Sequence, residues 1–229
     1  MGNEVEISGK NMNEATKTIV ATLGSIFGLS GMSHGFFEIL QGNTPTGGMF
    51  IAAIGEAQKM WLHGDEYAFS LIPDFLITGI VAMLVSLTIV VWSIGFMHKK
   101  HGPIILFLLF VLLLLAGGGI AQIIFFPFIC LVSTRINKPL KWWRKVLPVK
   151  IHKLLGKLWP GCLVIVSFLF VFALQIAITG FVPGMSDPEK VLSFTMLCLG
   201  LAAILLPLTF VSGFAQDIAM RPDLALDGK

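Results

Sequence analysis

Ser30, His34, Glu38 and Gln41 advance by four, four and three residues, so on a helix they stack along one face. The first three belong to Thr18–Leu40, a stretch free of charge apart from His34 and Glu38, and Gln41 directly follows it. Taking a charged side chain into hydrocarbon costs at least about 2.5 kcal/mol on insertion scales, so a histidine and a carboxylate kept there imply a partner or a task. At i and i+4, His34 and Glu38 are expected to hydrogen-bond to each other. Such a pair can carry protons, bind a cation or hold the polar group of a solute. Gln122 and Gln175, in other apolar stretches, are placed to face it. The candidate ligand-binding pocket is therefore Ser30, His34, Glu38, Gln41, Gln122 and Gln175. The plain alternative is a pair solvated near the headgroups, since Leu40 ends the stretch.

Other constellations are weaker. His63, Asp65, Glu66 and Asp74 have no recognised ligand spacing, so no metal site is assigned. Asp217 and Arg221, at i and i+4, read as a surface ion pair. Cys130, Cys162 and Cys198 lie in apolar stretches without a C-x-x-C pair and read as small packing residues. The zincin, P-loop, nucleophile-elbow, voltage-sensor and potassium-filter patterns are all missing, and no internal repeat is plain. No catalytic residue is assigned and the cofactor is unknown.

The elements that must hold these residues are membrane helices. Only 13% of the 229 residues are charged and 55% are hydrophobic. A soluble domain carries about 25% charged residues. A crossing needs roughly 20 apolar residues. Residues 18–40, 75–97, 159–182 and 191–215 meet that length, and 103–133 exceeds it. Backbone amides in lipid must be satisfied internally, so these stretches are helical. Residues 1–17 carry Glu4, Glu6 and Glu14 against Lys10 and Lys17, so the first stretch is expected to be a permanent span, not a cleaved leader.

Charge sets the orientation. Of sixteen Lys and Arg residues, eight lie between Arg135 and Lys157 with no acidic residue among them, so loop 134–158 is expected to be cytoplasmic. The link His98–His101 is basic as well. Loop 41–74 is acidic and should lie outside. These assignments conflict if 103–133 crosses once. Gly117, Gly118 and Gly119 offer a reversal, and Pro127 weakens a continuous helix. The expected architecture is an all-α, multi-pass bundle, one membrane domain over residues 1–229. It has four full spans plus a Gly-hinged hairpin of arms 103–116 and 120–133, six membrane segments in all. Both termini are cytoplasmic and the location is the cell membrane. The rival is five spans with one long tilted helix.

Two further features concern partners. Gly24, Gly28, Gly31 and Gly35 form a stripe that admits another helix at close range, and a partner helix there is one expectation. Lys141, Trp142, Trp143, Arg144 and Lys145 read as contacts to anionic lipid headgroups, followed by an amphipathic interfacial helix from Val149. Nucleic acid is not expected, because these charges lie against the bilayer. In the outer loop, Met49–Leu62 reads as a short surface helix able to act as a lid. The function expected is binding or transport of a small polar or amphiphilic solute. The alternatives are a membrane-embedded lipid-modifying enzyme, with His34 or Glu38 as acid or base, and an accessory subunit without chemistry.

Overall fold

The computed structural model describes residues 12–221. Glu4, Glu6 and Lys10, which shaped the expectation about a leader, lie outside them. Helix α1 spans Glu14–Leu40. Strands β1 (Phe50–Ala52) and β2 (Tyr67–Phe69) follow, then α2 (Phe75–Gly95), α3 (Gly102–Leu115), a 3-10 turn (Ala121–Ile124) and α4 (Phe126–Ser133). Helices α5 (Lys141–Val146), α6 (Val149–Thr179) and α7 (Pro188–Ala219) complete the order. Among the described residues, α1, α2, α6 and α7 are long and apolar enough to cross a membrane. Val149 and its neighbours do not form a separate interfacial helix; they are the first turns of α6.

Helix α1 packs chiefly on α2, and α6 on α7. Between lipid-bathed helices, association rests on van der Waals contact rather than on a gain from leaving water. The glycine stripe of α1 supplies that contact, and the helix seated in it is the chain's own α2. A Cβ on Gly28 would lie 2.7 Å from Val90, and one on Gly31 2.5 Å from the Ser86 hydroxyl. Gly35 and Gly79 abut backbone to backbone.

Residues 103–133 run in and come back. Helix α3 ends at Leu115, the chain reverses through Gly117–Gly119, and both ends of the stretch meet again where Asn137 donates to the His98 carbonyl at 2.7 Å. Gly117 (φ +94°) and Gly119 (φ +93°) occupy left-handed backbone that L side chains resist. The return differs from a simple second arm. It is a 3-10 turn followed by an eight-residue helix, and Pro127, which has no N–H to donate, stands in the first turn of that new helix, where it is tolerated best.

The outer segment corrects the expectation of a helix over Met49–Leu62. Phe50, Ile51 and Ala52 pair antiparallel with Phe69, Ala68 and Tyr67. Ile51 and Ala68 point inward and are buried, while Phe50 and Tyr67 point out. The Gln41 amide donates to the carbonyls of Ala52 (3.0 Å) and Ala53 (2.9 Å), which a helix would have used internally. The other edge of β2 takes up the glycine reversal. Gly117 N–H donates to the Phe69 carbonyl at 2.9 Å, and Leu71 N–H to Leu115 at 2.9 Å. Non-helical backbone at this position is thus satisfied by protein. The fold is therefore helical with one small sheet, not purely all-α.

Two faces result. One carries the start of α1, the His98–His101 link, α5 and the end of α7. There Asn13 donates to the carbonyls of Arg135 and Lys138, and Asp217 accepts from Ala15 and Thr16. The other carries the sheet, where Trp61 donates to the Ala177 carbonyl at 2.9 Å and His63 meets Glu189 at 2.8 Å. Asp217 and Arg221 do not pair, contrary to the expectation. The Asp217 carboxylate is spent on the unpaired N–H groups opening α1, and Arg221 donates to the Met12 carbonyl.

Candidate functional site

Between α1 and α6, next to the outer segment, lies a cleft of about 180 Å³. Its walls are mostly apolar: Ile26, Leu29 and Phe37 from α1, Val171, Leu174 and Ile178 from α6, and Ile54 from the outer segment. Its polar groups are Ser30, Ser33 and His34 on α1, Gln175 on α6, and Glu66 just before β2. One turn nearer the basic face, Phe27, Phe125 and Phe170 cluster at centroid distances of 4.9–5.8 Å, Phe27 stacked on Phe125 and Phe170 edge-on to both. These rings fill the space between α1 and α6 beneath the cleft.

The polar stripe of α1 is therefore divided. Ser30 and His34 open onto the cleft. Glu38 lies behind it, fully buried, with neither carboxylate oxygen hydrogen-bonded within the protein. Gln41 anchors the sheet and does not line the cleft. Gln122 reaches Ser30 at 3.3 Å and the Gly118 carbonyl at 2.7 Å, so it braces the glycine reversal against α1. Gln175 faces Ser30 and His34 across the cleft.

His34 and Glu38 do not pair with each other. The Nε2 atom of His34 stands 3.2 Å from Glu66 Oε2 instead. Both His34 and Glu38 point toward the glycine reversal: a Cβ on Gly119 would fall 2.6 Å from His34 Nε2, and one on Gly117 2.6 Å from Glu38 Oε2. The loop lies against both side chains, and the residue just before β2, Glu66, reaches the histidine from the outer segment. Burial alone would push the Glu66 carboxyl upward, but the hydrogen bond and charge of His34 outweigh it and hold the group below its ordinary value of about 4.5. Glu66 is thus ionised at neutral pH. With its side chain 22% exposed, it still presents acceptor capacity to the cleft.

The Nδ1 atom of His34 is buried and has no partner within the protein. An imidazole oriented by a carboxylate at one nitrogen, with the other uncommitted, has the form of a positioned acid or base. The outer residues weighed as metal ligands are dispersed. Glu66 meets His34, His63 meets Glu189, Asp65 meets Lys59 at 3.3 Å, and Asp74 caps α2 at the Ile77 N–H. Among the described residues no cluster of three metal-ligating side chains exists.

Glu66 and Ser33 were not legible as members of this site. Ser33 was off the aligned stripe. Glu66 draws notice in the sequence only as one of the outer carboxylates weighed as metal ligands, and nothing in that grouping points to His34; it stands immediately before the strand Tyr67–Phe69. No family model, curated protein or solved structure matches the chain.

Proposed function

We propose that this chain is a multi-pass protein of the cell membrane that binds an amphiphilic solute in the cleft between α1 and α6. Its polar head, a hydrogen-bond donor or amine, meets Glu66 and His34. Its apolar part lies along Leu29 and Val171. The sheet-bearing face is extracytoplasmic, and the basic face with both termini is cytoplasmic, following the charge bias of the loops. The returning stretch 103–133 keeps that bias consistent and brings the membrane segments to six. The cations of α5 and its exposed Trp142 meet anionic headgroups.

One observation carries the reading: the Glu66 carboxyl group, 3.2 Å from His34, faces a mostly apolar cleft between lipid-facing helices. A few convergent polar groups in an apolar pocket are the usual form of a ligand site. The aromatic stack beneath favours binding over a through-path. The unpartnered Nδ1 of His34 favours a second reading, a lipid-modifying enzyme using that nitrogen as base, and turnover of added phospholipid by the purified chain would establish it.

The test uses three probes of equal chain length, dodecylamine, dodecanol and dodecanoate, with thermal unfolding of the purified protein in a neutral detergent. Dodecylamine should raise Tm most and dodecanoate least. Glu66→Gln should abolish the preference. The amine's effect should also fade as pH falls below about 4.5, because a carboxyl held below that value in the folded protein loses its charge only there. Equal shifts for all three probes, or an amine preference retained in Glu66→Gln, would overturn the reading.

A further inference from the structure

A second cleft lies on the opposite face, between the two arms of the returning stretch, with a volume of about 750 Å³. It is independent of the cleft between α1 and α6. Its mouth carries Lys99, Lys100 and His101 from the link before α3, and Lys138 after α4. Its interior is mostly apolar, with Ile104 and Phe107 on α3 facing Pro127 and Leu131 on α4, while Ser133, Thr134 and Asn137 line it toward Lys138. No acidic side chain lines it. Among the described residues, Lys99, Lys100 and Lys138 form no ion pair. The local field is positive enough to act on a neighbour: burial, then the charges of Lys99 and Lys17, hold His98 below its ordinary value.

Depth matters as much as charge. Helix α3 has 14 residues and α4 eight, about 21 Å and about 12 Å of helix, against a hydrocarbon core of about 30 Å. Arms this short draw headgroups inward at their base. The cations stand where a phosphate would lie, and the apolar walls continue from them where acyl chains would lie. Ile104, Phe107 and Leu131 are 58%, 41% and 61% exposed within the protein, so they offer surface to a chain.

We propose that this cleft binds one anionic phospholipid of the cytoplasmic leaflet, its phosphate held by Lys99, Lys100 and Lys138 and an acyl chain seated between Ile104, Phe107 and Leu131. The site is separate from the surface cations of α5. It lies beside the contact of the two arms, where Phe110 of α3 stacks on Phe126 of α4 at 5.3 Å.

Native mass spectrometry of the full chain, released from nanodiscs of mixed dioleoylphosphatidylglycerol and dioleoylphosphatidylcholine, tests it. One phosphatidylglycerol should stay bound where phosphatidylcholine is lost. A variant with Lys99→Gln, Lys100→Gln and Lys138→Gln should weaken retention on the order of a hundredfold, at about fivefold per cation near an anionic surface. Lys150→Gln with Lys153→Gln and Lys157→Gln, all exposed on α6, should leave it largely intact. Equal retention of both lipids, or equal losses in the two triple variants, overturns the proposal. So does displacement by millimolar glycerol phosphate, which would assign the site to a soluble phosphate. Phe107→Trp keeps every lysine and guards against a misfolded triple variant. Its added fluorescence should be quenched by phosphatidylglycerol brominated on its acyl chains, and an absence of added quenching also overturns the proposal.

Discussion

Gly117 and Glu38 constrain each other. The glycine holds positive φ, and any Cβ there would enter the space of the Glu38 carboxylate. Gly117→Ala should therefore destabilise by about 1–3 kcal/mol from backbone strain, with a further overlap cost. Thermal unfolding in detergent reads the sum, and a double-mutant cycle with Glu38→Ala separates the two contributions. Removing the carboxylate should relieve the overlap but not the strain, leaving a coupling of about 0.5–3 kcal/mol. Strictly additive losses would show that loop and carboxylate do not press on each other. At this scale the sequence revealed which residues matter better than whom they meet. Helical spacing alone aligned Ser30, His34 and Glu38. The partner of His34 is Glu66, brought in by a strand far along the chain, and i,i+4 spacing on one helix cannot report that. A carboxylate four residues away was the nearest candidate, but the glycine reversal stands against both side chains and Glu66 reaches the histidine first.

Helix contacts in this chain are set by where a side chain is missing. On α1, Gly35 meets Gly79 of α2 so closely that a Cβ on Gly79 would lie 2.5 Å from the Gly35 carbonyl oxygen. Backbone cannot retreat as a flexible side chain can. Gly35→Ala should cost about 1–3 kcal/mol by forcing α1 from α2. Gly95→Ala, with nothing near its Cβ, should be neutral or stabilising by up to about 1 kcal/mol through helix propensity. Equal unfolding temperatures for the two variants would refute close α1–α2 contact. The four long helices were legible because lipid leaves an apolar run of that length no other structure. The reversal at Gly117–Gly119 was legible from three consecutive glycines. The strands were not: three residues each is too short for alternation to outweigh the helical spacing of Phe50, Ile51, Ile54, Trp61 and Leu62.

Closure of the whole bundle depends on the chain's two ends meeting. Asp217, near the end of α7, accepts from the Ala15 and Thr16 N–H groups at 2.9 Å each and from the Thr16 hydroxyl at 2.6 Å. It does for α1 what a capping residue normally does from within the same helix, since Asn13 at the N-cap position makes no side-chain cap bond. Asn13 instead donates to the Arg135 and Lys138 carbonyls, so two distant segments, residues 135–138 and the end of α7, converge on the start of α1. A side chain that accepts from three buried donors is worth more than one that serves a single donor, and its loss leaves those donors unpaired. Asp217→Ala should destabilise by about 1–3 kcal/mol and raise amide exchange in the first turn of α1. Asp217→Asn should fall between, because one oxygen still accepts while the new amide group turns a donor toward a donor. Exchange at Gly119 and His34, on the opposite face, should stay unchanged. If Asp217→Ala loosened both faces equally, the bundle would be opening as one unit, and a local clasp between the first and last helices would no longer account for how its ends are joined.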